Sequence, residues 1–249
     1  MTKSTAISKY NYLSVKVSVI NQVMAEETLK ADVGRAASYV CFPDSYTILS
    51  AAKDAKLNKI LSEAWLTMPD GKPLEIYARR KGFQEVRTVS GFWTCKALLE
   101  DPKHTHYFYG SSPKVLAHLQ ENLEAEFPNA SVLGYKSPPF VPLETIESDK
   151  SIEADMAEIA KLKPDYLWIG ISSPKQDYLM ARYYQSFDKS ILLGVGGVFE
   201  YLSGDVSKSP EWMKKMGLRW MYRLLKEPRR LGPKYLLLAK GIFKLIRGV

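Results

Sequence analysis

Asp70 has the setting of a general base. It stands in a Pro-Asp-Gly turn at 69–71, directly after the apolar run 65–68. A carboxylate at the carboxyl end of a strand can remove the proton from a substrate hydroxyl. The same turn needs no function, because aspartate and glycine favour tight turns by themselves. The sequence therefore leaves Asp70 with two interpretations, as a catalytic base and as a turn former.

Three other turns have the composition of phosphate or nucleotide sites. Segments 110–114 and 170–175 read GSSPK and GISSPK, and each places a serine as the predicted N-cap before a proline as the first helical residue. The backbone N–H groups of such a helix start attract phosphate. Segment 194–197 reads GVGG, and glycines let a backbone approach a ligand closely. Capping explains one such turn, whereas three in one sheet favour a nucleotide-type ligand.

Gln176 also has two interpretations. It follows Ser173 by three residues, which is the spacing of a capping box, in which the glutamine bonds back to the N–H of the serine. The same position faces any ligand bound beyond the strand ends, so the sequence leaves both roles open.

Metal-dependent phosphate chemistry is disfavoured. The sequence has no Gly-Lys-Ser or Gly-Lys-Thr phosphate loop and no Asp-x-Asp pair for a divalent metal. We therefore predict no metal site and no cofactor. His104 and His106 are interpreted as structural or surface residues, and His118 as a helix-face residue.

The elements that must position these residues alternate along the chain. Short apolar runs predict strands at 15–20, 38–42, 65–68, 105–109, 130–134, 166–169 and 191–193. The clearest helical windows between them are 114–127, 152–162 and 175–187. This alternation predicts an α/β fold with a mainly parallel sheet and helices on both faces. Ligands of such sheets bind beyond the carboxyl ends of the strands, where the four turns above would lie.

Composition and length favour one folded domain with an appendage. The chain has 249 residues, of which 46% are hydrophobic, so it can bury a large core. Cys41 and Cys95 fall in a predicted strand and helix, and we expect both in the core. The sequence shows neither an N-terminal secretory signal nor about 20 consecutive apolar residues, which favours a cytoplasmic location.

The positive charge is concentrated at the C-terminus. Residues 208–249 carry twelve Lys or Arg against two acids, a net charge of +10 in a chain whose total is +8. We therefore divide the chain into a core, 1–207, and a basic amphipathic helical appendage, 208–249. Such a segment suits an anionic surface, either a membrane or a nucleic acid. Its apolar stretch 235–238 suits a bilayer interface better than a nucleic-acid groove.

Two other classes of protein stay open on these features alone. One is a Rossmann-like nucleic-acid-binding protein or methyltransferase whose basic tail follows phosphates. The other is a non-catalytic nucleotide-binding regulator, which would leave Asp70 without a role. The oligomeric state stays open as well, a homo-oligomer included.

Over nearly its whole length the chain resembles the WecG/TagA/CpsF family of glycosyltransferases (glycosyltransferase family 26). The resemblance is carried by the order and spacing of Phe42-Pro43-Asp44, Pro69-Asp70-Gly71, Val89-Ser90-Gly91, Tyr109-Gly110, the segments 170–177 and 194–199, and the ending 220–230. It implies a Rossmann-like core and an inverting, metal-independent hexosyltransferase.

The implied reaction moves a sugar from a UDP-sugar to a polyprenyl-diphosphate-linked sugar in bacterial cell-surface polysaccharide synthesis. The sugar would be a hexose, an N-acetylhexosamine or a uronic acid. The enzyme would act on the inner face of the cell membrane, as a peripheral protein whose appendage completes the active site.

The resemblance also implies site residues. Asp70 matches the proposed base, and Arg223 with Arg229 or Arg230 matches the appendage arginines. Asp70 would deprotonate the acceptor, and the arginines would stabilise the leaving UDP in place of a metal. The substrate-binding candidates are Asp44, Arg87, Gly110, Gly170, Lys175, Gln176, Gly194, Gly196, Gly197 and Glu200.

The chain departs from the family pattern at five positions. The family usually has Thr, Asn, Arg, Glu and Asp at Phe42, Asp44, Thr88, Asp177 and Glu200 respectively. Arg87 would replace the arginine that Thr88 lacks. These departures predict a retuned pocket and leave the donor and acceptor sugars open.

Overall fold

The computed structural model of the chain describes residues 7–206 together with Leu225 and Gly232. The predicted appendage, with Arg223, Arg229 and Arg230, otherwise lies outside the described residues.

The described strands are β1 Lys9–Tyr12, β2 Val15–Ser18, β3 Ser38–Cys41, β4 Leu66–Thr67, β5 Thr105–Gly110, β6 Ser131–Lys136, β7 Tyr166–Gly170 and β8 Ile191–Gly194. The described helices are α1 Gln22–Asp32, α2 Ser45–Ala51, α3 Ala55–Glu63, α4 Lys72–Arg80, α5 Gly91–Leu99, α6 Pro113–Glu126, α7 Lys150–Leu162, α8 Lys175–Tyr183 and α9 Val198–Leu202.

Six strands form one parallel sheet in the order β4-β3-β8-β7-β5-β6. Its central strands β7 and β8 are buried at every position, which is typical of parallel strands covered on both faces. The α/β fold with a parallel sheet and helices on both faces is therefore confirmed. The structure also places the ends of all six strands on a single edge, where the predicted site residues follow them.

One predicted strand belongs elsewhere. The strand predicted at 15–20 is β2, and it pairs with β1 as an antiparallel hairpin instead of entering the parallel sheet. The hairpin packs on the sheet through Ser18, whose Oγ accepts a hydrogen bond from the backbone N–H of Thr67 at 3.0 Å. The apolar pattern of β2 is that of a buried strand in either arrangement, so the sequence did not distinguish them.

Side-chain caps explain where several helices begin. Asn21, Asp44, Asp54, Ser112 and Asp149 each accept a hydrogen bond from a backbone N–H in the first turn that follows. The Ser112 cap was predicted from the sequence, and the Pro113 start of α6 with it.

The helices on the two faces of the sheet reveal a change in the direction of winding. The buried side chains of α6 join the core on one face, and those of α7 and α8 join the core on the other. The chain leaves β5 outward to β6, whereas it leaves β7 inward to β8. Connections that diverge in this way open a crevice between the two strand ends, here β5 and β7, and ligands of open α/β sheets bind there.

The cysteine and histidine predictions agree with the structure. Cys41 and Cys95 are buried free thiols, one on β3 and one on α5. His106 is buried on β5, where its Nδ1 accepts a hydrogen bond from the indole N–H of Trp168 at 3.1 Å. Burial lowers the pKa of His106 to about 4, so the ring is neutral near pH 7. His118 lies on α6 and pairs with Asp205 at 3.0 Å.

Candidate active site

Asp70 follows β4, as predicted, and its turn is fixed from two sides. The backbone N–H of Asp70 donates to the carbonyl of Met68 at 2.9 Å, and the N–H of Val89 donates to the carbonyl of Pro69 at 3.0 Å. Gly71 has φ of 101°, a conformation that favours glycine, and α4 begins directly after it. The turn therefore holds a half-buried carboxylate at the carboxyl edge of the sheet.

Gln176 spans the glycine turn that follows β8. Its Nε2 donates to the carbonyl of Gly194 at 2.7 Å, and its Oε1 accepts from the N–H of Gly196 at 3.0 Å. The side chain is buried with only 3% exposed, and these two bonds use both ends of its amide. The capping-box interpretation is thus wrong, because the glutamine bonds across the sheet edge and not back to Ser173.

The second predicted serine cap is wrong as well. Helix α8 begins at Lys175, its N-cap position is Pro174, and no side-chain cap is present there. Ser173 instead donates its hydroxyl to the carboxylate of Asp177. The sequence signal for a cap, a serine before a proline, was present but was satisfied by a different partner.

Asp177, one of the positions that depart from the family pattern, is a buried carboxylate. It is 1% exposed and also bonds to the thiol of Cys41 at the end of β3. Burial raises the pKa of Asp177 to about 6, and the charge of Asp44 adds to this, although the bonds from Ser173 and Cys41 oppose it. Asp177 thereby links the start of α8 to the end of β3, the strand beside β8.

Side chains pack closely against the glycines at the strand ends. A Cβ on Gly194 would lie 2.5 Å from Cε of Met180, and one on Gly170 would lie 2.7 Å from the ring of Phe199. Gly196 has φ of 57°, in the left-handed region. The one side chain within 194–197, that of Val195, is buried, so the turn after β8 leaves mainly backbone groups at this edge.

Gly110 and Gly170 bring β5 and β7 together at the crevice. A Cβ on Gly110 would lie 2.6 Å from the backbone of Gly170, and Gly110 also has φ of 143°. The next residue, Ser111, donates its N–H to the carbonyl of Gly170 at 3.0 Å. The crevice floor is therefore backbone from both strands.

Glu200 places a carboxylate beside this floor. Its Oε1 accepts a hydrogen bond from the hydroxyl of Ser111 at 3.1 Å, while its Oε2 is buried without a hydrogen-bond partner among the described residues. Buried oxygens in folded proteins nearly always have a partner. Glu200 can thus accept a hydrogen bond from a hydroxyl or N–H group of a ligand.

Comparison with known proteins shows the family to which this chain belongs. Residues 10–248 match the model of the glycosyl transferase WecG/TagA/CpsF family. The chain belongs to this family. It is 29% identical over 184 residues to N-acetylglucosaminyldiphosphoundecaprenol N-acetyl-beta-D-mannosaminyltransferase of Bacillus subtilis (strain 168), covering 73% of this chain and 68% of the relative. It is 28% identical over 183 residues to the protein of the same name from Bacillus spizizenii, covering 72% and 68%.

Membership of the WecG/TagA/CpsF family makes the chain a glycosyltransferase of the hexosyltransferase type. It gives no support to the nucleic-acid-binding, methyltransferase or regulator alternatives. It also directs attention to the positions where this member departs from the family pattern.

Asp44 has a structural role in this family member. It caps α2, accepting from both the backbone N–H and the hydroxyl of Thr47 at 2.9 Å. Its position after β3 places it between the Asp70 turn and the glycine turn of β8. A substrate donor would have to bond to Asp44 through lone pairs that the bonds from Thr47 do not use.

Arg87 and Lys175 lie at the same edge but bond to nearby backbone. Arg87 donates to the carbonyls of Gln84 and Val86 at 2.6 and 2.8 Å, and it is exposed. Lys175 donates to the carbonyl of Val141 at 2.6 Å, and its ammonium lies 4.1 Å from the centre of the Phe140 ring. Since an ammonium has three N–H donors and a guanidinium five, both cations have further donors beyond these bonds.

Two features of the described residues bear on the kind of site that they form. Among them, no group of three or more His, Cys, Asp or Glu side chains is placed to hold a metal ion. No helix in the same part of the chain is long and apolar enough to cross a bilayer.

Proposed function

We propose that this glycosyltransferase moves a sugar from a UDP-sugar to a polyprenyl-diphosphate-linked sugar. The observation that carries the proposal is the placement of the Asp70 turn, the Gly194–Gly197 turn and the β5–β7 crevice along one sheet edge, in a chain of this family. Neighbouring strands lie about 4.8 Å apart, so β4 and β8, with β3 between them, put the carboxylate roughly 10 Å from the glycine turn.

The names of the relatives support the acceptor. Both are named for transfer of N-acetylmannosamine to N-acetylglucosaminyldiphosphoundecaprenol, a polyprenyl-diphosphate-linked sugar. We therefore take that lipid-linked sugar as the first acceptor to test. The transferred sugar is a hexose, an N-acetylhexosamine or a uronic acid, and UDP-N-acetylmannosamine is the first donor to test.

The donor would bind along the edge from the crevice to the glycine turn. Glu200 would accept a hydrogen bond from a donor hydroxyl or N–H group, and backbone groups around Gly110, Gly170 and Gly194 would line the nucleotide and diphosphate. Gln176 would keep the Gly194–Gly196 backbone in place, because its amide bonds both sides of that turn. Lys175, five residues after Gly170, and Arg87 are the cations of the core that we assign to the donor site.

Asp70 would act as the base for the acceptor. It would take the proton of an acceptor hydroxyl while the hydroxyl oxygen attacks the anomeric carbon from the face opposite UDP. The new glycosidic bond forms as the bond from that carbon to UDP breaks, and the electron pair leaves with UDP. The product therefore has inverted configuration.

The leaving diphosphate would be stabilised by arginines and not by a metal. We assign this charge to Arg223, Arg229 and Arg230, since guanidinium groups bind phosphate oxygens in pairs of hydrogen bonds. The basic appendage would also place the enzyme on an anionic membrane as a peripheral protein.

The test is a panel of UDP-sugars incubated with synthetic N-acetylglucosaminyl diphosphate linked to a short polyprenyl chain, with products identified by mass. We expect one UDP-sugar to add one sugar residue with release of UDP, and NMR of the product to show inversion. Absence of any product across the panel, with protein that binds UDP, would contradict this donor and acceptor pair.

A further inference from the structure

Glu75 is a buried carboxylate that the proposed chemistry does not use. It lies on the first turns of α4, is 5% exposed, and has three donors. Lys72 Nζ lies 3.1 and 3.0 Å from its two oxygens, and Thr88 donates both its backbone N–H and its hydroxyl to Oε2 at 2.9 Å. Burying a charge costs free energy unless the charge is paired and hydrogen-bonded. The three donors therefore offset the cost of burying the Glu75 carboxylate.

The bonds to Thr88 fasten a loop that supports the Asp70 turn. Residues on either side of Thr88 are also held: Arg87 donates its N–H to the carbonyl of Ile20 at 3.3 Å, and Val89 donates its N–H to the carbonyl of Pro69 at 3.0 Å. Pro69 directly precedes Asp70. One hydrogen bond therefore separates the backbone held by Glu75 from the backbone that carries the carboxylate.

Glu75 also reaches Asp70 along the chain. Helix α4 begins at Lys72, one residue after Gly71, so Glu75 lies five residues beyond Asp70 on an element that starts at the turn. The turn is thus connected to Glu75 at both ends, through α4 on one side and through Thr88, Val89 and Pro69 on the other. Movement of the Glu75 side chain would release Thr88 and the ion pair with Lys72 in the first turn of α4 together.

We propose that Glu75 is a positioning residue for Asp70, and that it fixes the Asp70 carboxylate by holding Thr88 and the first turn of α4. The assignment rests on the proposed role of Asp70 as the base. Rate enhancement by a positioned group is sensitive to displacements of about 1 Å, which can cost roughly 100-fold. Loosening the turn should therefore lower turnover without removing a group that touches substrate.

The experiment compares Glu75→Gln, Thr88→Val and Asp70→Asn in the full chain, with the synthetic lipid-linked acceptor. We expect Glu75→Gln to lower kcat by about tenfold and Thr88→Val by several-fold, while the dissociation constant for the UDP-sugar changes less than about twofold. Thr88→Ser keeps both donors and should recover most of the turnover that Thr88→Val loses. The matched control is Glu153→Gln, which removes the exposed i, i+3 ion pair of Lys150 and Glu153, 3.3 Å long, at the start of α7.

Combination with Asp70→Asn separates positioning from general stability. If Glu75 acts through Asp70, Glu75→Gln should cause little further loss of kcat in the Asp70→Asn background. An equal fractional loss in both backgrounds would overturn the inference, as would normal kcat in a folded Glu75→Gln protein. Should Glu75→Gln fail to fold, the Thr88 pair gives the same comparison. Near-normal kcat for Asp70→Asn alone would instead reject the proposed base, and with it the premise of the inference.

Discussion

The side-chain amide of Gln176 bridges the glycine turn by donating to the carbonyl of Gly194 at 2.7 Å and accepting from the N–H of Gly196 at 3.0 Å. One buried side chain on α8 thereby fixes the backbone at the end of the neighbouring strand β8. The shape of the proposed donor site depends on this bridge, because Gly194 and Gly196 have no side chains that could form stabilising contacts.

Gln176→Glu should therefore damage both stability and donor binding. An ionised carboxylate cannot donate to the Gly194 carbonyl, and leaving a buried acceptor unsatisfied costs about 1–3 kcal/mol. We expect the free energy of unfolding to fall by about that amount, and UDP-sugar affinity by about tenfold in titration calorimetry. The control is Gln185→Glu, at an exposed glutamine, which should change stability by less than about 0.5 kcal/mol. Equal behaviour of the two variants would count against the bridge.

Gly110→Ala tests the close approach of β5 and β7. The added Cβ would lie 2.6 Å from the backbone of Gly170, at φ of 143°, so the two strand ends must separate. We expect a loss of more than about 3 kcal/mol in denaturant unfolding, in the range of severe core changes. Gly34→Ala is the control, because Gly34 also has positive φ, 77°, but nothing lies within 4 Å of its added Cβ. That variant should lose only about 1–2 kcal/mol.

Asp177 should make stability depend on pH. Burial raises the pKa of Asp177 to about 6 in the folded protein, above the value of about 3.9 expected in the unfolded chain. The folded state therefore binds more protons between these values, and this residue's contribution to stability increases as pH falls from about 7 to 4.

Asp177→Asn should remove that dependence. The amide carries no buried charge at any pH, so the variant should gain stability relative to the parent at pH 7.5 and lose that advantage near pH 4.5, measured by chemical unfolding at both pH values. Comparison with the parent cancels the other titrating groups, and Asp188→Asn, at an exposed aspartate, is the control. A difference between parent and Asp177→Asn that stays constant with pH would contradict the prediction.

Chelation should leave activity essentially intact if arginines replace a metal. We expect EDTA-treated enzyme to keep its turnover, and Arg223→Ala to lower kcat by about 100-fold with a smaller change in KM. Arg79→Ala, at an exposed arginine of α4, is the matched control and should behave as the parent. Loss of activity in EDTA with rescue by magnesium or manganese would establish a metal requirement instead.

Truncation should separate membrane binding from catalysis. Each basic side chain near an anionic leaflet is worth about 1 kcal/mol, so removal of 208–249 should release the protein from anionic vesicles in a sedimentation assay. The same truncation should nearly abolish transfer to a short water-soluble acceptor, because it removes the three arginines.

Truncation after 234 provides the comparison. It keeps the arginines and removes the apolar face of 235–246, so it should weaken vesicle binding while sparing much of the activity on the soluble acceptor. Unchanged soluble-acceptor activity after removal of 208–249 would assign the leaving-group charge to the core, with Arg87 as the first residue to test.

The sequence determined the six strands of the parallel sheet and the positions that follow them. The hydrophobic patterns located β3 to β8 to within one or two residues at most ends, and they placed Asp70, Gly110, Gly170 and Gly194 at or just beyond strand ends. These features are local, since a short apolar run followed by a turn specifies a buried strand and its end without reference to the rest of the chain.

Only the tertiary structure decided which of these residues meet. The strand order β4-β3-β8-β7-β5-β6 brings Gly110 against Gly170 across 60 residues of sequence and Gln176 to the end of β8. The same order assigned β2 to a hairpin, since its apolar pattern fits either sheet. Gln176 illustrates the reason: its spacing from Ser173 fits a capping box, but its amide bonds to the backbone of Gly194 and Gly196, 18 and 20 residues on. Pairings between distant segments depend on the packing of whole elements, and local pattern does not encode them.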